Sequence, residues 1–148
     1  MIFDLDNFNE SSLDINYDIC ISGAGAAGIT LATKLSEFGF KVILCEAGSE
    51  DYTDISQKNY IGKINGDPYF DLDVARLRYF GGSTNHWQGM CRPFEKVDFK
   101  RKYLGEQFIW PIKYEEIFKY QNEACKILEI TNNFITNNPN DELIRRIN

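Results

Sequence analysis

Three glycines within six residues, Gly23-Ala-Gly25-Ala-Ala-Gly28, lie between an apolar run and an amphipathic one, and no other feature constrains the fold as strongly. The run over 17–22, Tyr-Asp-Ile-Cys-Ile-Ser, suits a buried parallel strand, although its period alone does not exclude a helix. From 26 to 38 the period changes: Ala27, Leu31, Leu35 and Phe38 recur at helical spacing, and Gly39 supplies a stop. A second β-rich run follows over 41–46, Lys-Val-Ile-Leu-Cys-Glu. Residues 17–46 therefore read strand, turn, helix, strand, within about the 30 residues that a βαβ unit occupies. Such a crossover demands a sheet covered on both faces. Two strands cannot supply one, so the fold class expected is α/β with an incomplete sheet.

Each glycine of the turn has a physical task. Gly23 permits the tight exit from the strand, Gly25 lets the backbone approach a pyrophosphate, and Gly28 lets the helix pack closely on the strand. A helix opening at Ala26 and Ala27 would turn free N–H groups and a partial positive charge toward that anion. Glu46 ends the next strand eighteen residues after Gly28, where an acid accepts hydrogen bonds from ribose hydroxyls. An acid there argues against a 2′-phosphate, hence against NADP, but does not separate NAD from FAD. The same carboxylate also suits a solvated strand end.

Acidic residues outnumber basic ones, with a formal charge of -6, and no basic stripe offers itself to a phosphate backbone. Nucleic acid and membrane insertion are not expected. The N-terminus shows no basic region followed by an apolar one, and no stretch approaches the roughly 20 apolar residues of a membrane helix, so the chain reads as cytoplasmic. Cys20, Cys45, Cys91 and Cys125 are far apart in sequence and only one histidine accompanies them, so no metal site is expected. Cys20 and Cys45 sit in apolar runs and read as small core residues.

Residues 1–15 read as a tail and 16–148 as the organised part. The stretch 49–75 shows no period and receives no assignment, although a loop so long is usually functional. Residues 95–102 read as a solvated charged face. A helix is expected from 114 to 129, with Tyr114, Ile117, Phe118, Ala124 and Leu128 on one side and Glu115 and Glu116 in its first turn. Residues 132–140 would break it, and 141–148 would begin another.

Between them lies Arg78-Tyr-Phe-Gly81-Gly82-Ser83-Thr84-Asn85-His86-Trp87-Gln-Gly. Adjacent glycines followed by two hydroxyl residues expose N–H groups and hydroxyls in a small space, which suits a phosphate and the polar edge of a flavin. The same residues also suit a Gly-Gly hairpin followed by a buried aromatic.

The 17–28 segment, the Glu46-Ala-Gly48 ending, the Arg-x-x-Gly-Gly-Ser-Thr run and Trp110-Pro-Ile-x-Tyr-Glu-Glu116 occur in the order seen in glucose–methanol–choline oxidoreductases. The chain resembles the N-terminal portion of that family's Rossmann-like FAD-binding domain over 17 to about 130. The resemblance implies that Gly23, Gly25 and Gly28 hold the FAD pyrophosphate and Glu46 the adenosine ribose. It implies further that Arg78, Gly81, Gly82, Ser83, Thr84 and Asn85 run past the pyrophosphate to the flavin ring. Many members carry an Asn where this chain has Trp87, and His86-Trp87 is similar to pyranose-oxidase-like and sugar-dehydrogenase members. His86 stands where some members bond a histidine to the flavin methyl group and others contact FAD without a bond. Lys113 replaces a small helix-capping residue, which weakens the expected cap.

The family oxidises an alcohol carbon by hydride transfer to flavin, with a C-terminal histidine as base. The chain's single histidine is already placed beside the flavin, so no catalytic residue is expected in these residues. The resemblance thus implies an N-terminal part of an oxidoreductase acting on an alcohol, a sugar or polyol by the His-Trp likeness, with an electron acceptor it does not identify. Two other readings stay open: a non-catalytic FAD- or NAD-binding module, and another two-dinucleotide flavoprotein. The reductases among the latter would show a redox cysteine pair near the front, and none is present.

Overall fold

A computed structural model describes residues 2–7, 16–99 and 109–131. The chain divides into two units, 1–88 and 89–148, each taken by itself.

In the first unit, strand β1 (Ile19–Ser22) lies parallel to β2 (Val42–Cys45), with Ile19 beside Val42 and Ser22 beside Cys45. Helix α1 (Ala26–Glu37) joins them, so the expected strand, turn, helix and strand form within two residues of the expected bounds. Alternation along each strand sends Ile19, Ile21, Val42 and Leu44 to one face and Cys20, Ser22, Ile43 and Cys45 to the other. Ile21 is buried on the first face, where Leu44 meets Gly28 of α1. Among the described residues the second face carries no covering layer over Cys20 and Cys45. Both are exposed, contrary to the expectation that they are core residues.

The helix also presents a different side from the one its apolar spacing suggests. Ala27, Leu31 and Phe38 are exposed, while Gly28, Ile29, Ala32 and Leu35 are half-buried. The reason is Gly28: a Cβ there would lie 1.9 Å from the Gly23 carbonyl oxygen and 3.5 Å from Leu44. The one residue without a side chain must take the point of closest approach, and 32 and 35 follow it on the helical period. The helix ends as expected at Gly39, which adopts φ +90°. Its N–H bonds to Ser36 O at 2.9 Å while the Phe40 N–H bonds to Leu35 O at 3.1 Å, the paired closure that a left-handed glycine permits.

The unassigned 49–75 stretch contains two short helices, α2 (Asp54–Gln57) and α3 (Leu72–Ala75). Thr53 caps α2 by accepting the Ser56 N–H at 3.2 Å, and a 3-10 turn over Lys58–Tyr60 continues it. At the front of the chain, Leu5–Asn7 form a turn in which Asp4 carboxylate oxygens accept the Asp6 N–H and the Asn7 side-chain amide.

In the second unit the expected 114–129 helix is two: α4 (Tyr114–Phe118) and α5 (Gln121–Ile127). At the break, the Tyr120 N–H bonds to Ile117 O, three residues back, rather than four, which tightens the turn and shifts the following residues around the axis. Cys125 and Gln121 therefore turn inward, and Ala124 and Leu128 are exposed. The cap at Lys113 is rescued from the other direction: the Glu116 carboxylate accepts the Lys113 N–H at 2.8 Å, and the Lys113 carbonyl accepts the Glu116 N–H at 3.1 Å. Phe99, buried at the end of a 3-10 turn over Lys96–Phe99, meets Phe94, Trp110 and Tyr114 with ring centroids 5.8 to 5.9 Å apart. Around it Arg92 pairs with Glu95 at 2.7 Å and Lys96 with Glu115 at 3.5 Å, both exposed, as expected of a solvated charged face. The segments 8–15, 100–102, 132–140 and 141–148, with what was expected of them, lie outside the described residues. No helix among the described residues is long and apolar enough to cross a membrane.

Candidate functional site

The site is built where β1 and β2 end side by side. Gly23 turns out of β1 with φ +96°, and its N–H bonds to Cys45 O at 2.7 Å, which extends the ladder by one rung. Ala24 follows, 1 % exposed. Its N–H donates to Glu46 Oε2 at 2.8 Å, while Glu46 Oε1 accepts the Gly48 N–H at 2.9 Å. One carboxylate thus binds the turn after each strand. A carboxylate offers about four acceptor positions. Two are used here, and two are left for donors such as ribose hydroxyls.

Gly25 caps α1 with extended dihedrals (φ −84°, ψ −173°) and no side-chain hydrogen bond. The first backbone bond of the helix runs from Ile29 N to Gly25 O at 2.9 Å, so the N–H groups of Ala26, Ala27 and Gly28 precede the intrahelical ladder. A Cβ on Gly25 would meet nothing within 4 Å. The contrast with Gly28 separates two tasks: Gly28 is bare because the fold leaves no room, whereas Gly25 is bare beside open space and unladdered donors. A pyrophosphate fits that combination on charge and on room.

The second glycine pair joins the first. The Gly81 N–H donates to Ala24 O at 2.8 Å, and a Cβ on Gly82 would sit 3.7 Å from Gly25 Cα. Gly81 and Gly82 have φ +88° and +56°, left-handed values that glycine adopts at little cost. Gly48 lies under the same segment, since a Cβ there would be 2.2 Å from Arg78 O and 2.6 Å from Tyr79 Cα. The Phe80 N–H completes the seam by donating to Ser49 O at 3.0 Å.

This geometry alters what the Gly-Gly-Ser-Thr run can offer an anion. The N–H groups expected to face a phosphate are committed at both glycines, to Ala24 O and to Tyr79 O. The Thr84 hydroxyl donates to Gly81 O, and Ser83 Oγ accepts the Leu77 N–H at 3.1 Å. The Asn85 amide donates to Phe80 O at 2.8 Å and Gly82 O at 3.2 Å. Thr84 and Asn85 therefore hold the turn over Gly82–Asn85 together from within. His86 leaves that turn exposed, as does Trp87, which is not the buried aromatic of a hairpin.

Arg78 points the other way, toward α2. Its guanidinium donates to Ser56 Oγ at 2.9 Å, and the same hydroxyl donates to Arg78 O at 3.0 Å. Four residues that no sequence motif marks thus belong to the site's framework, Ala24, Ser49, Ser56 and Gln57, and Gly48, present in the Glu46-Ala-Gly48 motif, joins them. Side-chain to backbone bonds over twenty residues of separation leave no periodic trace.

On the uncovered face of the sheet, Cys20 Sγ and Cys45 Sγ lie 3.9 Å apart. Partial desolvation at the strand pushes the Cys45 thiol, exposed as its residue is, up from its ordinary pKa, and the hydrogen bond and charge of Cys20 add to the rise. Cys20 pairs with Ile43, so it is offset from Cys45 by two residues along the strands. At about 3.3 Å per residue and 4.8 Å between strands, the Cα atoms are roughly 8 Å apart, beyond easy disulfide reach.

The candidate site is thus a parallel βαβ turn with an open helix start, N–H groups that precede the helical ladder, and an acid at the second strand end. Comparison with known proteins points to oxidoreductases. The chain is 31% identical over 132 residues to 2-methyl-1,2-propanediol dehydrogenase of Mycolicibacterium austroafricanum, covering 74% of this chain and 23% of that protein. It is 34% identical over 87 residues to an oxygen-dependent choline dehydrogenase of Vibrio vulnificus, covering 47% of this chain and 16% of that one. A Pseudomonas putida protein of the same name is 35% identical over 94 residues, covering 51% and 16%. The chain thus spans less than a quarter of the length of these relatives. No family model and no solved structure matches it.

Proposed function

We propose that this chain forms the FAD-holding part of a glucose–methanol–choline type oxidoreductase that oxidises an alcohol. The observation that carries the reading is the seam between its two glycine segments. Gly81 bonds to Ala24 and Gly82 abuts Gly25, so a segment more than fifty residues downstream is brought against the open start of α1. A ligand held by its pyrophosphate at Gly25, Ala26 and Ala27 would pass Gly82 and Ser83 on its way to His86. Glu46 would take the ribose hydroxyls with its remaining acceptor positions.

Bound FAD would supply a two-electron acceptor for a hydride from a CH–OH carbon. The residues of this chain bind and orient it; none is assigned the base, because the single histidine, His86, stands beside the flavin in this reading. The substrate class follows from the relatives, whose names specify a propanediol and choline, both alcohols. A sugar or polyol, suggested by His86-Trp87, belongs to the same class.

The test is titration of the chain with FAD, followed by flavin fluorescence, with NADH as competitor. Saturable binding that NADH does not displace supports the reading, and a folded chain that takes up no FAD refutes it. Acid precipitation then separates a flavin bonded to His86, which stays with the protein, from one held by contact, which is released.

A further inference from the structure

Among the described residues the buried polar side chains are Ser56 and Gln57, neighbours at the end of α2, 8 % and 5 % exposed. Burying a side-chain amide is unfavourable unless each of its groups finds a partner. Gln57 finds them all in one stretch of backbone. Its Nε2 donates to Asp73 O at 2.6 Å and to Arg76 O at 2.5 Å, and its Oε1 accepts the Arg78 N–H at 3.0 Å. Both amide donors are thereby used. Ser56 adds the Arg78 carbonyl and guanidinium.

Residues 76–78 belong to no helix or strand and lead into a turn over 79–81, and among the described residues no strand lies beside them, so their backbone groups need partners from elsewhere. These come in sequence: Gln57 for Arg76 O and Arg78 N, Ser83 for Leu77 N, Ser56 for Arg78 O, Ser49 for Phe80 N and Ala24 for Gly81 N. Gln57 supplies two of them, and its side chain takes the place of a neighbouring strand. The segment it holds is the one that delivers Gly81 and Gly82 to the glycine loop.

We infer that Gln57 is a positioning residue, assisted by Ser56. It touches no ligand itself but fixes the path of 76–81, and through that path it sets how the second glycine segment meets a cofactor at Gly25. The inference rests on the FAD reading for its functional half and on geometry alone for its structural half.

Two measurements on the full chain separate these halves. Amide hydrogen exchange of Gln57→Leu, without ligand, is expected to speed up at least tenfold at Arg78, Phe80 and Gly81 while the β1–β2 ladder keeps its protection. FAD affinity is expected to fall at least tenfold. Ile21→Val, which loosens the sheet core outside this network, serves as the control for general destabilisation and is expected to leave both readouts near wild type. If Gln57→Leu does not fold, Gln57→Glu replaces it, since it keeps an acceptor for Arg78 and sets an oxygen against the two carbonyls. Unchanged exchange at 78–81 overturns the inference. Changed exchange with unchanged FAD affinity overturns its functional half. A wild-type chain that takes up no FAD removes the FAD reading and the functional half together, and exchange then still decides whether Gln57 holds the segment.

Discussion

Replacing Gly25 and Gly28 by alanine, one at a time, separates the two reasons for a bare backbone in the turn. At Gly28 two effects oppose. Alanine in place of glycine inside a helix gains about 1 kcal/mol of propensity. The new Cβ, however, would lie 1.9 Å from Gly23 O and 3.1 Å from its carbonyl carbon, both backbone atoms that move only with the strand end. Overpacking of that kind costs roughly 1–3 kcal/mol, and a 1.9 Å approach to backbone belongs at about 2–3 kcal/mol within that range, so Gly28→Ala should be net destabilising by about 1–2 kcal/mol. In a chain of this size that is a fall in Tm of roughly 3–8 °C. At Gly25 the dihedrals suit alanine and the Cβ meets nothing. A loss of cap preference of about 0.5–1 kcal/mol is offset by a similar gain from a stiffer unfolded chain. Stability should stay within about 0.5 kcal/mol of wild type. Its methyl group, though, enters the space where a pyrophosphate approaches and displaces one or two charge-assisted hydrogen bonds worth roughly 1.5–3 kcal/mol each. FAD affinity should fall at least tenfold. Thermal unfolding by circular dichroism and FAD titration read both quantities. A Gly25→Ala chain that binds FAD as wild type does, or a Gly28→Ala chain of undiminished Tm, would refute the division of labour.

Three further outcomes are expected. Glu46→Gln keeps one acceptor but turns an NH2 group toward the N–H of Ala24 or Gly48, and should cost about 2 kcal/mol, read as a urea midpoint lowered by roughly 1 M; an unmoved midpoint would show that the carboxylate does not clamp the turn. Gly81→Ala places a Cβ 2.6 Å from Asn85 Nδ2 at φ +88°, and should cost roughly 1–3 kcal/mol, part of which Asn85→Ala relieves. Strict additivity in that double-mutant cycle would mean that the two side chains do not compete. With its pKa raised, Cys45 stays protonated to higher pH than an ordinary thiol, so iodoacetamide at mildly alkaline pH should modify it more slowly than glutathione, and Cys20→Ala should speed the reaction. Equal rates in the variant and wild type would assign the whole effect to burial, and a Cys20–Cys45 disulfide under mild oxidant would contradict the strand offset.

Local signals carried the first half of the site well. Strand, glycine turn, helix and strand were legible because each is written in consecutive residues, and Glu46 because a strand end fixes its distance from the turn. For the packed face of α1, apolar spacing favours Ala27 and Leu31, whereas packing is decided by where Gly28 must touch Gly23. The exposure of Cys20 and Cys45 escapes the sequence for a related reason, since an apolar run does not tell which of its alternate faces is covered. In the 78–86 segment the residue types were informative and their duties were not. Glycine N–H groups and hydroxyls look alike in sequence whether they await a ligand or close their own loop, and here most of them close the loop. The Ser56 and Gln57 framework left no pattern at all, because it consists of side chains bonding to backbone about twenty residues away.

The Glu46 clamp has a bearing on how such a site can change over time. Its carboxylate answers to the Ala24 and Gly48 N–H groups and, in the proposed reading, would answer to a ribose as well. A basic or neutral substitution that would welcome a differently decorated nucleotide therefore meets a folding barrier before the ligand is involved. The order of mutational steps is constrained: new acceptors for those two N–H groups must arise first, and only then can the acid be given up. Retention of an acid at this position across related chains would record selection on the turn as much as selection on the cofactor.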